Sequence, residues 1–325
     1  MHPAFSVIFL TTLIGVGQGL FIALYSAQAY SAIGVLPKPA LVFMTTGSVF
    51  SVAFLVGGLV ASIFHLGRPE RAWRSAAMWR TSWLSREVIV LPMAIAAVAA
   101  YGVIHYQGWD LTLIGITPPF PGALSLLVGT LTTVVIFALF VCTGMIYACI
   151  RFLQEWASPL TVINYMLIGT GSGFTFAAAL STQYEPALTL FFAGWALALT
   201  LFALITRSAS LIRNQRIKYR STIQSAIGVR HTRIRQESQG FLGGSFNTRE
   251  FFHGAHPWIF RFIKWLFIVL GFIMPALLLG YGISSDAPKL FIFAFFVQYV
   301  GLIAERWFFF AQANHPQNLY YQLVS

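Results

Sequence analysis

The chain has 325 residues and carries 20 Lys and Arg against nine Asp and Glu, a net charge of +11 at pH 7. Yet only 9% of it is charged and 58% is hydrophobic, where ordinary soluble domains are about 25% charged. So few charges leave too little polar surface to cover a globule of this size. That excludes a soluble fold and, with it, a nucleic-acid reading of the basic charge.

A helix that crosses a bilayer needs about 20 mostly apolar residues. Eight such runs follow one another, at 5–29, 40–64, 88–106, 122–150, 160–180, 187–205, 265–283 and 290–310. They are continuous rather than alternating, so they predict helices and not barrel strands. The expected fold class is all-α: one polytopic membrane domain over 1–325, with eight transmembrane helices in a bundle. The first run ends near Ala27-Gln28-Ala29, which looks like a signal-peptide cleavage site. No Lys or Arg precedes it and it is close to spanning length, so it reads as a retained helix.

Polar residues punctuate the runs. His65 ends the second span, and Arg68, Arg71, Arg74 and Arg80 fill the loop that follows. Arg86 and Glu87 open the third span. Cys142 and Cys149 lie seven apart in the fourth, on one helix face. They read as two small buried residues and are too few for a disulfide framework or a cysteine-ligated cluster. Arg151 and Glu155 close that span, and Asn164 and Tyr165 lie in the fifth. The segment 207–257 is the one extended polar stretch, basic but holding Phe241, Phe246, Phe251 and Phe252. Its length marks it as a functional or disordered connection. Glu305 and Arg306 interrupt the last span.

With eight spans, 18 of the 20 Lys and Arg fall on one side; only Lys38 and Lys289 fall on the other. The positive-inside rule then places both termini in the cytoplasm. Arg151 and Arg207 read as interfacial anchors, and Arg71, Arg74 and Arg80 as contacts to lipid phosphates. Glu305–Arg306 is either an ion pair between helices or part of a site. Glu87 beside an apolar Val88-Ile89-Val90 run, with His65 near, has the composition of a proton relay. The seven His lie at span ends or in loops, with no facing pair in mid-membrane, so no haem is expected. No phosphate loop, catalytic triad or zinc signature appears. No metal is expected.

Several stretches carry a resemblance. His65-Leu66-Gly67-Arg68-Pro69-Glu70-Arg71-Ala72 followed by Ser82-Trp83-Leu84-Ser85-Arg86-Glu87 resembles the membrane anchor subunit of the dimethyl sulfoxide reductase family. So do Met1-His2-Pro3-Ala4-Phe5-Ser6, Gly301-Leu302-Ile303-Ala304-Glu305-Arg306 and the loop 240–250. The resemblance implies an eight-helix, non-catalytic subunit without metal or haem. It implies partners: a molybdopterin catalytic subunit and an iron–sulfur subunit, with which the anchor exchanges electrons for the membrane quinone pool. It also implies a role in quinone binding for His65 and Glu87; their charge and position add Arg68 and Arg86 beside them, and Glu305 and Arg306 as secondary candidates. The long 207–257 loop is more similar to the anchors of quinone-linked sulfite dehydrogenases of sulfur-oxidising bacteria, whose soluble subunits are cytoplasmic. The location implied is the bacterial inner membrane.

Basic loops suit a docking face, and Arg230, Arg233, Arg235 and Arg249 are the candidates for holding the iron–sulfur partner. Two rival readings stay open. One is a transporter, opposed by the absence of matched Gly/Pro-broken spans. The other is a purely structural anchor without a quinone site.

Overall fold

The computed structural model describes residues 1–114, 122–218, 221–238 and 245–322. Eight helices among them are long and apolar enough to cross a membrane. They are α1 (Phe5–Ala32), α2 (Leu41–Ile63), α3 (Trp83–Gln107), α4 (Ala123–Ala148), α5 (Pro159–Tyr184), α6 (Thr189–Gln215), α7 (Pro257–Ser284) and α8 (Lys289–Ala311). The described residues contain no strand. The loop residues 240–244, Arg220 and Ser325 lie outside the described residues.

Several helix boundaries follow local chemistry. The Ser82 hydroxyl accepts the Ser85 N–H and starts α3; Ser158 does the same for Leu160 before Pro159 at the head of α5. Gly108, at φ 65°, closes α3 in the left-handed region that a glycine enters without strain.

The helices α1 and α5 form the centre. In their most apolar 18-residue windows 67% and 61% of residues are buried, against 28–44% for the other spans. Their crossing rests on two Gly-x-x-x-Gly pairs, Gly15/Gly19 and Gly169/Gly173. A Cβ on Gly19 would run into the backbone of Gly169 and Thr170, and one on Gly173 into the backbone of Gly19 and Leu20. Lipid is as apolar as any side chain, so close backbone approach and van der Waals contact must replace the hydrophobic drive here. Around the crossing packs an apolar core that includes Phe21, Leu24, Phe43, Leu55, Tyr101, Phe140, Phe174 and Phe192.

The last two spans meet through a second small-residue contact, Gly271 against Gly301. There α7 widens into a π-turn at Val269–Ile273, just before Pro275. Two expectations need correction. The sixth span was expected to stop at 205, but α6 runs on to Gln215, which shortens the polar connection and draws Arg207 inside a helix. Cys142 is buried as expected, but Cys149 caps α4 and is exposed.

Candidate functional site

The buried residues of α3 recur at helical spacing: Glu87, Leu91, Ala94, Val98, Tyr101 and His105. Glu87 therefore sits on the inward stripe, one turn inside the capped start of the helix. It is 7% exposed, and its Oε1 accepts a hydrogen bond of 2.5 Å from the Thr143 hydroxyl of α4.

The other residues expected to join it lie apart. His65 is exposed in the turn after α2, where loss of surrounding water holds its pKa below the ordinary 6.5. No hydrogen bond or ion pair connects it to Glu87 among the described residues. Arg68 is exposed at the start of a 3-10 stretch, Pro69–Met78. Arg86 was expected beside the carboxylate. Instead its Nε donates to Trp79 O at 2.9 Å and its Nη2 to Arg80 O at 2.8 Å, with the guanidinium 4.2 Å from the Trp83 ring centre. It fastens the loop that carries Arg68 back onto the head of α3.

Glu305 and Arg306 belong to a buried triad with Arg207. Arg207 Nε lies 2.6 Å and Arg306 Nε 2.5 Å from the two Glu305 oxygens, and none of the three side chains is more than 4% exposed. Arg306 also stacks 4.1 Å from the Tyr165 ring centre. Consecutive residues point about 100° apart on a helix. Glu305, Arg306, Phe308, Phe309, Phe310 and Ala311 are nevertheless all buried, because this end of α8 is enclosed on every side. The anchor role expected of Arg207 is thereby overturned. Its guanidinium is enclosed by neighbouring helices and pairs with a carboxylate instead of extending to water.

Of the candidates, only Glu87 and Arg306 approach a common space. A crevice of about 20 Å³ is walled by Gln18 of α1, Thr143 of α4, Tyr165 and Ser172 of α5, and Arg306 of α8. Thr143 is the residue that holds Glu87. Tyr165 and Arg306 meet there, both buried. A space of that size with several polar walls suits a single water. Thr143, Tyr165 and Arg207 were not singled out in this role from sequence. Thr143 carries no signal at all, since threonine is common in membrane helices.

The docking candidates Arg230, Arg233, Arg235 and Arg249 are all exposed, and Arg235 lies 4.0 Å from Glu237. Their segment is tied to the C-terminal residues: Gln236 N–H donates to Gln322 Oε1 at 3.1 Å, and Gln322 Nε2 to Ile234 O at 2.8 Å.

A family model described as DMSO reductase anchor subunit (DmsC) matches residues 1–310. A sulfite dehydrogenase subunit of Allochromatium vinosum is 54% identical over 325 residues, covering the whole of both chains. The chain belongs to the DMSO reductase anchor subunit family.

Proposed function

We propose that this chain is the quinone-reactive anchor of a membrane-bound molybdenum oxidoreductase. It holds an iron–sulfur subunit and a molybdopterin subunit at its charged face and passes electrons between the former and the quinone pool. That face is cytoplasmic, with both termini, in a bacterial inner membrane. The 18-to-2 charge split supports that orientation.

The observation that carries the reading is Glu87. A carboxyl group buried among apolar helices is costly and is kept for a reason. This one is connected through the Thr143 hydroxyl to a water-sized crevice bordered by Arg306. Reducing a quinone takes two electrons and two protons. Glu87 and Thr143 form a route along which protons reach or leave the ring oxygens. His65 and Arg68, exposed on the adjoining loop, serve as the groups nearest the aqueous side. Identity to a sulfite dehydrogenase subunit favours one direction. Sulfite and water give sulfate, two protons and two electrons in the partner, and quinone takes up two electrons and two protons here to become quinol.

The test compares Glu87→Gln and His65→Ala with the wild type in the assembled complex. Quinone-coupled turnover should be lost in both, with artificial-dye activity and membrane assembly intact. Normal quinone-linked rates in both would leave the chain a structural anchor.

A further inference from the structure

A cavity of about 520 Å³ opens on the face opposite the charged layer, where α1 and α3 end and α2 and α4 begin. The hydrogen bonds along its polar wall run one way. Tyr101 donates to Gln28 Oε1 at 2.5 Å, Gln28 Nε2 donates to Ser125 Oγ at 2.6 Å, and Ser125 Oγ donates to Gly122 O at 2.9 Å. The acceptors of that chain are thereby engaged. Asp110 also borders the cavity, but its oxygens accept the backbone N–H groups of Gly122, Leu111 and Leu124. Those bonds, with Gly122 foremost, hold its carboxyl below the usual range and keep it ionised.

The side chains still free at the cavity can donate, the Ser31 hydroxyl among them. The Gln28 amide keeps one hydrogen. Lys38 is exposed at the rim and has no ion-pair partner among the described residues. His105 is more than nine-tenths buried, with its ring edge-on to Tyr101 at 4.6 Å and its Nε2 unbonded. Imidazole donates from one ring nitrogen in either neutral tautomer. Asp110 is the one counter-charge on this wall, and its oxygens are taken up by three backbone N–H groups; the Lys38 ammonium makes no contact ion pair among the described residues, so the donors left over suit an oxyanion. It lies at the depth where span ends meet lipid headgroups, and Met44 and Ile104 give it an apolar flank.

We propose that this cavity binds the phosphate of an acidic membrane lipid. Lys38 pairs with a phosphate oxygen, Gln28 and His105 donate to the others, and Met44 and Ile104 meet the glycerol and first acyl carbons. The site is independent of the quinone reading, being built from the opposite ends of the helices.

The experiment uses the complex as purified, in native mass spectrometry and in thermal shift with added lipid. The probes are phosphatidylglycerol, a galactolipid without phosphate, and inorganic phosphate. Phosphatidylglycerol should stay bound and stabilise the wild type. Its affinity should fall about tenfold or more in Lys38→Glu and in His105→Phe, and the galactolipid should not replace it. Unchanged affinity in Lys38→Glu, or equal binding of the galactolipid, would overturn the proposal. Inorganic phosphate that stabilises as well as the lipid would also overturn it, by making this an aqueous anion site. If His105→Phe does not fold, Lys38→Glu decides alone, since Lys38 is exposed and packs in no core.

Discussion

The triad of Arg207, Glu305 and Arg306 makes an asymmetric prediction. Two buried cations share one carboxylate, at 2.6 and 2.5 Å. At an effective dielectric of about 20, each contact is worth about 6 kcal/mol of Coulomb attraction before desolvation is charged against it. Glu305→Gln removes both attractions and leaves two guanidiniums facing each other without a counter-charge. Breaking a buried pair costs about 3–5 kcal/mol in general, and this variant should reach the top of that range. Arg207→Met removes one attraction, but also one buried cation and the repulsion between the two arginines. It leaves a one-to-one pair, and Met fills much of the vacated volume, so the cost should stay below about 2 kcal/mol. Unfolding titrations with sodium dodecyl sulfate in mixed micelles measure both variants on one scale. If Arg207→Met proves as damaging as Glu305→Gln, or Glu305→Gln is neutral, the charge-balance argument is wrong and the three groups are not coupled as their distances imply.

Further outcomes are expected. Gly173→Leu should abolish the monodisperse folded protein in fluorescence-detected size exclusion, because the added side chain enters the α1 backbone; Gly280→Ala, beside which nothing lies within 4 Å, should leave it unchanged. His65 has a folded pKa below 6.5, so it is neutral at pH 7. As pH falls below the unfolded value, the unfolded chain takes up a proton more readily, and stability is lost down through the folded pKa. Acid destabilisation as the pH falls below about 6.5 should therefore be weaker in His65→Gln, as read by melting at several pH values. Arg86→Ala should expose the 65–82 loop to faster hydrogen exchange at a cost of about 1–3 kcal/mol, and Arg86→Lys should fail to restore it, since an ammonium does not reproduce the forked reach to two carbonyls. Reversing Arg230, Arg233, Arg235 and Arg249 together should release the soluble subunits at physiological salt; retention in membrane pellets would exclude this face as their dock.

Composition and run length determined the membrane, the helices, their number and the orientation expected of the charge distribution. Those properties depend on transferring each segment from water to lipid, and that transfer is additive along the chain. Glu87 and Glu305 stood out from sequence for the same reason: an ionisable group in an apolar run is conspicuous by its cost. Partnership was not legible. Arg207 looked like one more basic residue at a span end, because a hydropathy window does not show that α6 continues past its apolar part. Gln215 ends the helix, and Arg207, Ser210 and Leu211 in that extra length are buried. Thr143 became the bond donor to Glu87 only through the rotation of α4 against α3, and Arg86 turned to the loop carbonyls, not to the acid beside it in sequence. The Gly15/Gly19 and Gly169/Gly173 pairs were written in the chain, but which helices they join was decided by packing. Sequence fixes what each segment costs in lipid. Only the three-dimensional arrangement of the helices decides which costly groups meet, because those pairings connect residues more than 50 positions apart, through side-chain directions that no local pattern encodes.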